Sequence, residues 1–281
     1  MKSSSLKTIL DRFYLEYDFE ERVGHDPISF PGRYKAGRDR EISGFISSCF
    51  AYGKVELFKA VLEALHEKMG RSPYGFVLAF DPVKQGGLFG RIKYRFNERD
   101  DILCLFFVLS QVLKRYSSLE EVFMKYYRPE DGTIRNGLEG LMSELLSIDT
   151  SAVYGSDIRP RGFRQLFPLP SGGSACKRAN LFLRWMIRDR DIDFGVWKGV
   201  PKNRLVIPLD THIARISRCL RFTERQPQDW KTAVEITEAL KRLDPEDPLK
   251  YDFALCHHGI SGLCKGEREN NRCKDCVFRR G

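Results

Sequence analysis

The sequence has no apolar run approaching the roughly 18 residues that a membrane-spanning helix needs, and residues 1–20 lack the hydrophobic stretch of a secretory signal. Neither a membrane partner nor export is expected, which leaves a cytoplasmic or nucleoid-associated protein. Sustained alternation of apolar and polar residues is also missing, so no β-strand is expected. There is no internal repeat and no low-complexity linker, which argues against a solenoid or a string of tethered modules. No basic tail concentrates the positive charge.

Against these absences stand 47 Lys and Arg over 38 Asp and Glu, a formal charge of +9 and a pI near 9.1. That balance fits a polyanionic partner such as nucleic acid, and it also fits a basic enzyme with no such partner. A chain of 281 residues can bury a large core, as one domain or two lobes. Of the eight cysteines, Cys49, Cys104, Cys176 and Cys219 stand in apolar or helical surroundings and read as buried thiols. The other four follow C-x7-C-x8-C-x2-C from Cys256 through Cys264 and Cys273 to Cys276, all within the last 26 residues. In a reducing compartment such a cluster argues for metal rather than disulfides. Its soft donors suit Zn²⁺ or a [4Fe–4S] cluster, with His257 or His258 as a further zinc ligand.

Apolar residues at helical spacing predict helices over 6–20, 38–51, 55–69, 100–116, 119–127, 137–147 and 232–243, with a last one starting near 249. Residues 24–37, 73–90 and 153–173 are rich in Pro and Gly and read as loops or broken segments. The expected class is all-α.

The stretch from Leu169 to Leu220 carries the chemistry. Ser171, Gly172, Gly173 and Ser174 form a Gly-rich turn that opens a helix with Lys177 in its first turn. Backbone N–H groups exposed at such a turn suit a phosphate. The positive end of a helix disfavours a second positive charge, so a lysine there is biased toward the nucleophilic amine; otherwise it is one solvated charge among many. Asp210 precedes THIARI and reads as an N-cap. A carboxylate fixed in that way can also take a proton or face a sugar cation.

LPSGGSACKRA followed by VIPLDTHIARISRCL resembles the helix-hairpin-helix DNA glycosylases, the superfamily of endonuclease III and the 8-oxoguanine glycosylases. Asp210, Thr211, His212 and Arg215 match the segment that carries the catalytic aspartate. Lys177 falls at the place of the Schiff-base lysine, although two extra residues separate it from Gly173. The Lys-to-Asp spacing is nearest to the archaeal 8-oxoguanine branch. DPLKYDFALCHHGI is similar to an uncharacterised prokaryotic family related to these enzymes.

The resemblance implies two all-helical lobes with double-stranded DNA in the cleft between them. Residues 38–188 would form a central lobe ending in the hairpin, 1–37 with 189–255 the second lobe, and 256–281 a metal-binding tail. A monomer would extrude a damaged nucleotide, foremost an oxidised purine. Lys177 and Asp210 would be catalytic. Gly172, Gly173, Ser174 and Arg178 would hold phosphate, with a monovalent cation at the hairpin and Arg184 as a further contact or an ordinary exposed charge. Trp185, Phe194 or Trp197 would stack on the base or simply pack a core. His212 would face the lobe interface rather than act as a base. Cys256, Cys264, Cys273 and Cys276 would bind a [4Fe–4S] cluster, with zinc as the alternative, and present Lys265, Arg268, Arg272 and Lys274 to phosphate. A non-catalytic nucleic-acid-binding protein on the same scaffold remains open, as does action on another N-glycoside.

Overall fold

Ten helices of eight or more residues carry the fold in the computed structural model, which describes residues 3–90, 92–264, 273 and 276–278. In chain order they are α1 (Ser3–Leu15), α2 (Gly37–Cys49), α3 (Val55–Met69), α4 (Arg99–Arg115), α5 (Leu119–Tyr126), α6 (Arg135–Ser147), α7 (Lys177–Ile187), α8 (Thr211–Cys219), α9 (Trp230–Lys241) and α10 (Asp252–Ile260). Among the described residues no strand forms, only isolated bridges from Tyr94 to Asn97 and from Ser174 to Asp229. No single described helix is long and apolar enough to cross a membrane. The protein is all-α, as its patterning implies.

The Pro- and Gly-rich segments break into short helices, such as the 3-10 helix Pro27–Ser29 and the α-helices Pro73–Leu78 and Arg161–Arg164. The first helix stops earlier than its apolar spacing suggests. The Asp18 carboxylate accepts the Glu21 amide at 3.0 Å and starts a separate helix at Phe19. A local cap here outcompetes continuation of the apolar face.

Helix α2 lies at the centre, packed against α7 and the Pro73–Leu78 helix. A Cβ on Gly44 would stand 3.0 Å from Met186 Cε, and Phe45 meets Phe182 edge-on at 5.2 Å. Helices α5 and α6 also cross closely, because Gly137 and Gly140 leave room for the rings of Phe123 and Tyr126. The chain's two ends meet: Asp11 of α1 accepts from Tyr251 at 2.6 Å and pairs with Lys250 at 2.8 Å. One connected apolar cluster runs from Leu10 to Phe278. Trp185 and Trp197 are fully buried in it, so both pack a core. Phe194 lies under the Arg40 guanidinium, 4.9 Å from its ring centre.

Arg184 is not the exposed charge expected of it. It is buried, 2.5 Å from Asp252 and 3.2 Å from Asp193. Arg188, one turn on, is equally buried against Asp193, Asp191 and Asp247. Buried guanidinium groups survive only when paired in this way. His66 is a second buried polar group, between the Ser43 hydroxyl at 2.7 Å and the Leu62 carbonyl at 2.8 Å.

Candidate functional site

Lys177 is the first residue of α7. Its N-cap, Cys176, has the left-handed backbone φ 49°, ψ 36°, and Gly173 lies at φ 77°. The Gly-rich stretch therefore does not run straight into the helix. Pro170–Gly172 closes a 3-10 turn, and Ser174 crosses to bridge Asp229. The residues beyond the expected hairpin length form this crossing. The amides of Gly172 and Gly173 donate to the carbonyls of Leu169 and Pro170, each at 3.1 Å. The Ser171 amide and hydroxyl donate to the Glu139 carboxylate at 2.8 and 2.5 Å. Two donors expected to face a phosphate, the Gly172 and Gly173 amides, thus have partners within the chain, and their neighbour Ser171 already faces an anion.

Asp210 caps α8. Its Oδ1 accepts the amides of His212 at 2.9 Å and Ile213 at 2.8 Å. Its Oδ2 faces two other groups, Lys177 Nζ at 3.8 Å and Cys256 Sγ at 3.5 Å. Lys177 Nζ also lies 3.4 Å from the Ala51 carbonyl in the turn after α2. Two helix mouths, one helix flank and one turn thus converge on a single amine–carboxylate pair. The lysine side chain is 33% exposed and the aspartate 16%, so the pair is not sealed from solvent. At 3.8 Å the contact is looser than the roughly 2.7–2.9 Å of a saturated charge-assisted bond.

Cys256, one of the four thiols of the expected ligand set, has its Sγ 3.5 Å from Asp210 Oδ2. Burial, reinforced by the Asp210 charge, pushes the thiol well above the ordinary thiol range. Cys49, Cys104 and Cys176 are pushed up to about 12 by burial, in keeping with their reading as buried thiols. His212 sits at the start of α8 against α10. A Cβ on Gly259 would stand 2.7 Å from His212 Cβ, and Arg215 Nη2 donates to the Gly259 carbonyl at 3.0 Å. Four residues before Cys256, burial raises Asp252 to about 6 against the opposing charge of Arg184.

Arg178 spends its guanidinium on the carbonyls of Cys49, at 2.5 Å, and Gln165. It also stacks 5.0 Å from the centre of the Tyr52 ring. Tyr52 follows Ala51, and beyond it stand Arg95, with φ 52°, and Phe96, which is 58% exposed. Sequence reasoning missed this flank, since nothing in the chain order links residues 51–52 and 94–96 to Lys177. A groove of about 710 Å³ with mixed charge, lined by Arg33, Lys35 and Arg71 and by Asp39, Glu63 and Glu67, opens at the other end of α2.

In the tail, Cys264 and Cys273 are buried, and the Cys276 amide donates to the Cys273 carbonyl at 3.2 Å. Phe278 packs edge-on against Phe13 at 5.0 Å and His258 at 5.2 Å. His257 bonds to Asp26 at 3.1 Å. Among the described residues no three His, Cys, Asp or Glu side chains are grouped as a metal ion requires. Lys265, Arg268, Arg272 and Lys274 lie outside the described residues.

These features define an all-helical protein with a partly exposed lysine–aspartate pair framed by two helix N-termini. Residues 26–261 match the family described as "Protein of unknown function (DUF2400)", and the chain belongs to that family. Comparison with curated proteins and with solved structures gives no match.

Proposed function

We propose that this protein is a bifunctional DNA glycosylase and AP lyase that removes a damaged base, foremost an oxidised purine such as 8-oxoguanine, from double-stranded DNA. The observation that carries this reading is the 3.8 Å approach of Lys177 Nζ to Asp210 Oδ2 at an accessible position. In the proposed reaction the Lys177 amine attacks C1′ of an extruded nucleotide. The N–C1′ bond forms as the glycosidic bond breaks, and the base leaves with a proton. Asp210 accepts a proton from the amine and stabilises the sugar cation as it develops. The sugar ring then opens: the C1′–O4′ bond breaks, O4′ takes up the proton held by Asp210, and C1′ and the lysine nitrogen form an imine. Loss of a C2′ proton from that imine expels the 3′ phosphate by β-elimination. Extrusion is required because C1′ cannot be reached within the stack.

The basic balance of the chain supports a DNA partner. Phosphate contacts at Gly172, Gly173, Ser174 and Arg178, and a monovalent cation at the hairpin, belong to the same proposal. Because the Gly172 and Gly173 amides and the Arg178 guanidinium have internal partners, such contacts require those bonds to be shared or exchanged. Tyr52, Arg95 and Phe96 offer a stacking and cationic rim beside the pair.

A [4Fe–4S] cluster or Zn²⁺ in the tail is likewise a proposal. Cys264, Cys273 and Cys276 have the donor chemistry for either. The four-thiol set fits only in part, because Cys256 is engaged with Asp210. No step of the reaction passes through the metal.

The test is reductive trapping. Duplexes carrying 8-oxoguanine, thymine glycol, uracil or an abasic site are incubated with the protein and borohydride. A covalent complex with at least one of them, absent in Lys177→Ala, is expected. Salt-sensitive binding without any complex would support the non-catalytic scaffold instead. Cleavage of free nucleosides alone would support a different N-glycoside.

A further inference from the structure

Asp210 uses its two oxygens differently. Oδ1 is occupied by the amides of His212 and Ile213, which fix the carboxylate on the mouth of α8. Oδ2 is left for chemistry, and the group nearest to it is not Lys177 but the thiol of Cys256, at 3.5 Å against 3.8 Å. Sulfur reaches this oxygen because α8 and α10 are in close contact. The Cβ that Gly259 lacks would lie 2.7 Å from His212 Cβ, and Arg215 ties the two helices through the Gly259 carbonyl at 3.0 Å. The site therefore has three members, contributed by α7, α8 and α10.

The contact has the geometry of a hydrogen bond from the thiol to the carboxylate oxygen. A thiol has one proton to donate. As a weak donor it can orient a carboxylate oxygen without neutralising it. A serine hydroxyl would bind more strongly, and a valine of similar size would not bind at all. We infer that Cys256 is a positioning residue, whose S–H donates to Asp210 Oδ2 and holds that oxygen toward Lys177. The inference rests on the lysine–aspartate reading above, and it removes Cys256 from the tail's metal ligands.

Two variants separate donation from packing. Cys256→Val keeps the volume and loses the donor; Cys256→Ser keeps a donor. With a trapped lesion, Cys256→Val is expected to slow single-turnover trapping roughly three- to tenfold, with the DNA concentration for half-saturation unchanged. Cys256→Ser is expected to stay near the wild-type rate. Equal loss in both variants, or loss in neither, overturns the inference. A second measurement does not depend on activity. The S–H stretching band of Cys256 is isolated as the infrared difference between wild type and Cys256→Val. It is expected to move to higher frequency in the Asp210→Asn background, where the second oxygen is replaced by a donor. A band that does not move overturns the inference even if trapping succeeds. If the wild type traps no lesion, the glycosylase reading fails, and the infrared band alone decides whether the thiol donates to Asp210.

Discussion

Helix α7 carries two sets of charged contacts that differ in every physical respect. At its middle and end, Arg184 and Arg188 are buried and bonded to aspartates at 2.5–3.2 Å. At its first residue, Lys177 is a third exposed and stands 3.8 Å from one carboxylate oxygen. The arginine cluster joins α7 to the segment after it and to α10, through Asp193 and Asp252. Its geometry is that of a structural joint: short, dry and mutually committed. The lysine contact is long and partly exposed, with a carboxylate oxygen and an amine that still have bonding capacity. Tight pairing uses up the chemistry of a charge, whereas loose pairing at a surface leaves it available.

The strongest way to break this comparison is to truncate one member of each set. Arg184→Ala leaves the Asp252 carboxylate buried without its guanidinium and is expected to destabilise the fold by about 3–5 kcal/mol, read from urea denaturation. Lys177→Ala is expected to cost less than about 1 kcal/mol while abolishing the covalent complex. If Lys177→Ala destabilises as much as Arg184→Ala, the amine is part of the joint and the contrast fails.

Asp210 stands between the two cases, since one oxygen caps and the other faces the amine. Asp210→Ala is expected to lose about 1 kcal/mol and Asp210→Asn much less, because asparagine keeps the capping oxygen. Both are expected to slow trapping by about 10²-fold or more. Equal stability losses for Ala and Asn would mean that the cap is not where the energy lies.

A pH-dependent effect comes from His66, buried outside both clusters. Burial lowers it from 6.5 to about 4, with the Leu62 hydrogen bond opposing. The native state thus holds the neutral ring while the unfolded chain takes a proton, so stability is lost as pH falls from about 6.5 to about 4. Thermal denaturation at a series of pH values should show this loss, and His66→Gln should flatten it. An unchanged slope in the variant would assign the acid sensitivity to other groups.

Much of this was legible in the chain. Helical spacing located the main helices, and the joint presence of LPSGGSACKRA and LDTHIAR marked Lys177 and Asp210, because a residue at a helix mouth is identified by local order alone. The partners were not legible. Arg184 reads as a surface charge because its partner Asp252 lies 68 positions away. Cys256 reads as one of four clustered thiols because spacing says nothing of which way a helix faces. In α10 its thiol turns inward to Asp210. The glycine amides read as open donors because the chain order does not reveal that Leu169 and Pro170 accept them or that Glu139 reaches Ser171. Local geometry is written in adjacent residues; saturation of a polar group depends on what folds against it.

The most direct measurement is peptide mapping of the borohydride-reduced protein–DNA complex. A sugar remnant on the peptide containing Lys177, with no other lysine modified, is the expected result. A remnant on any other amine, or no adduct with any of the four lesions, would contradict the assignment of Lys177 and Asp210 as the catalytic pair.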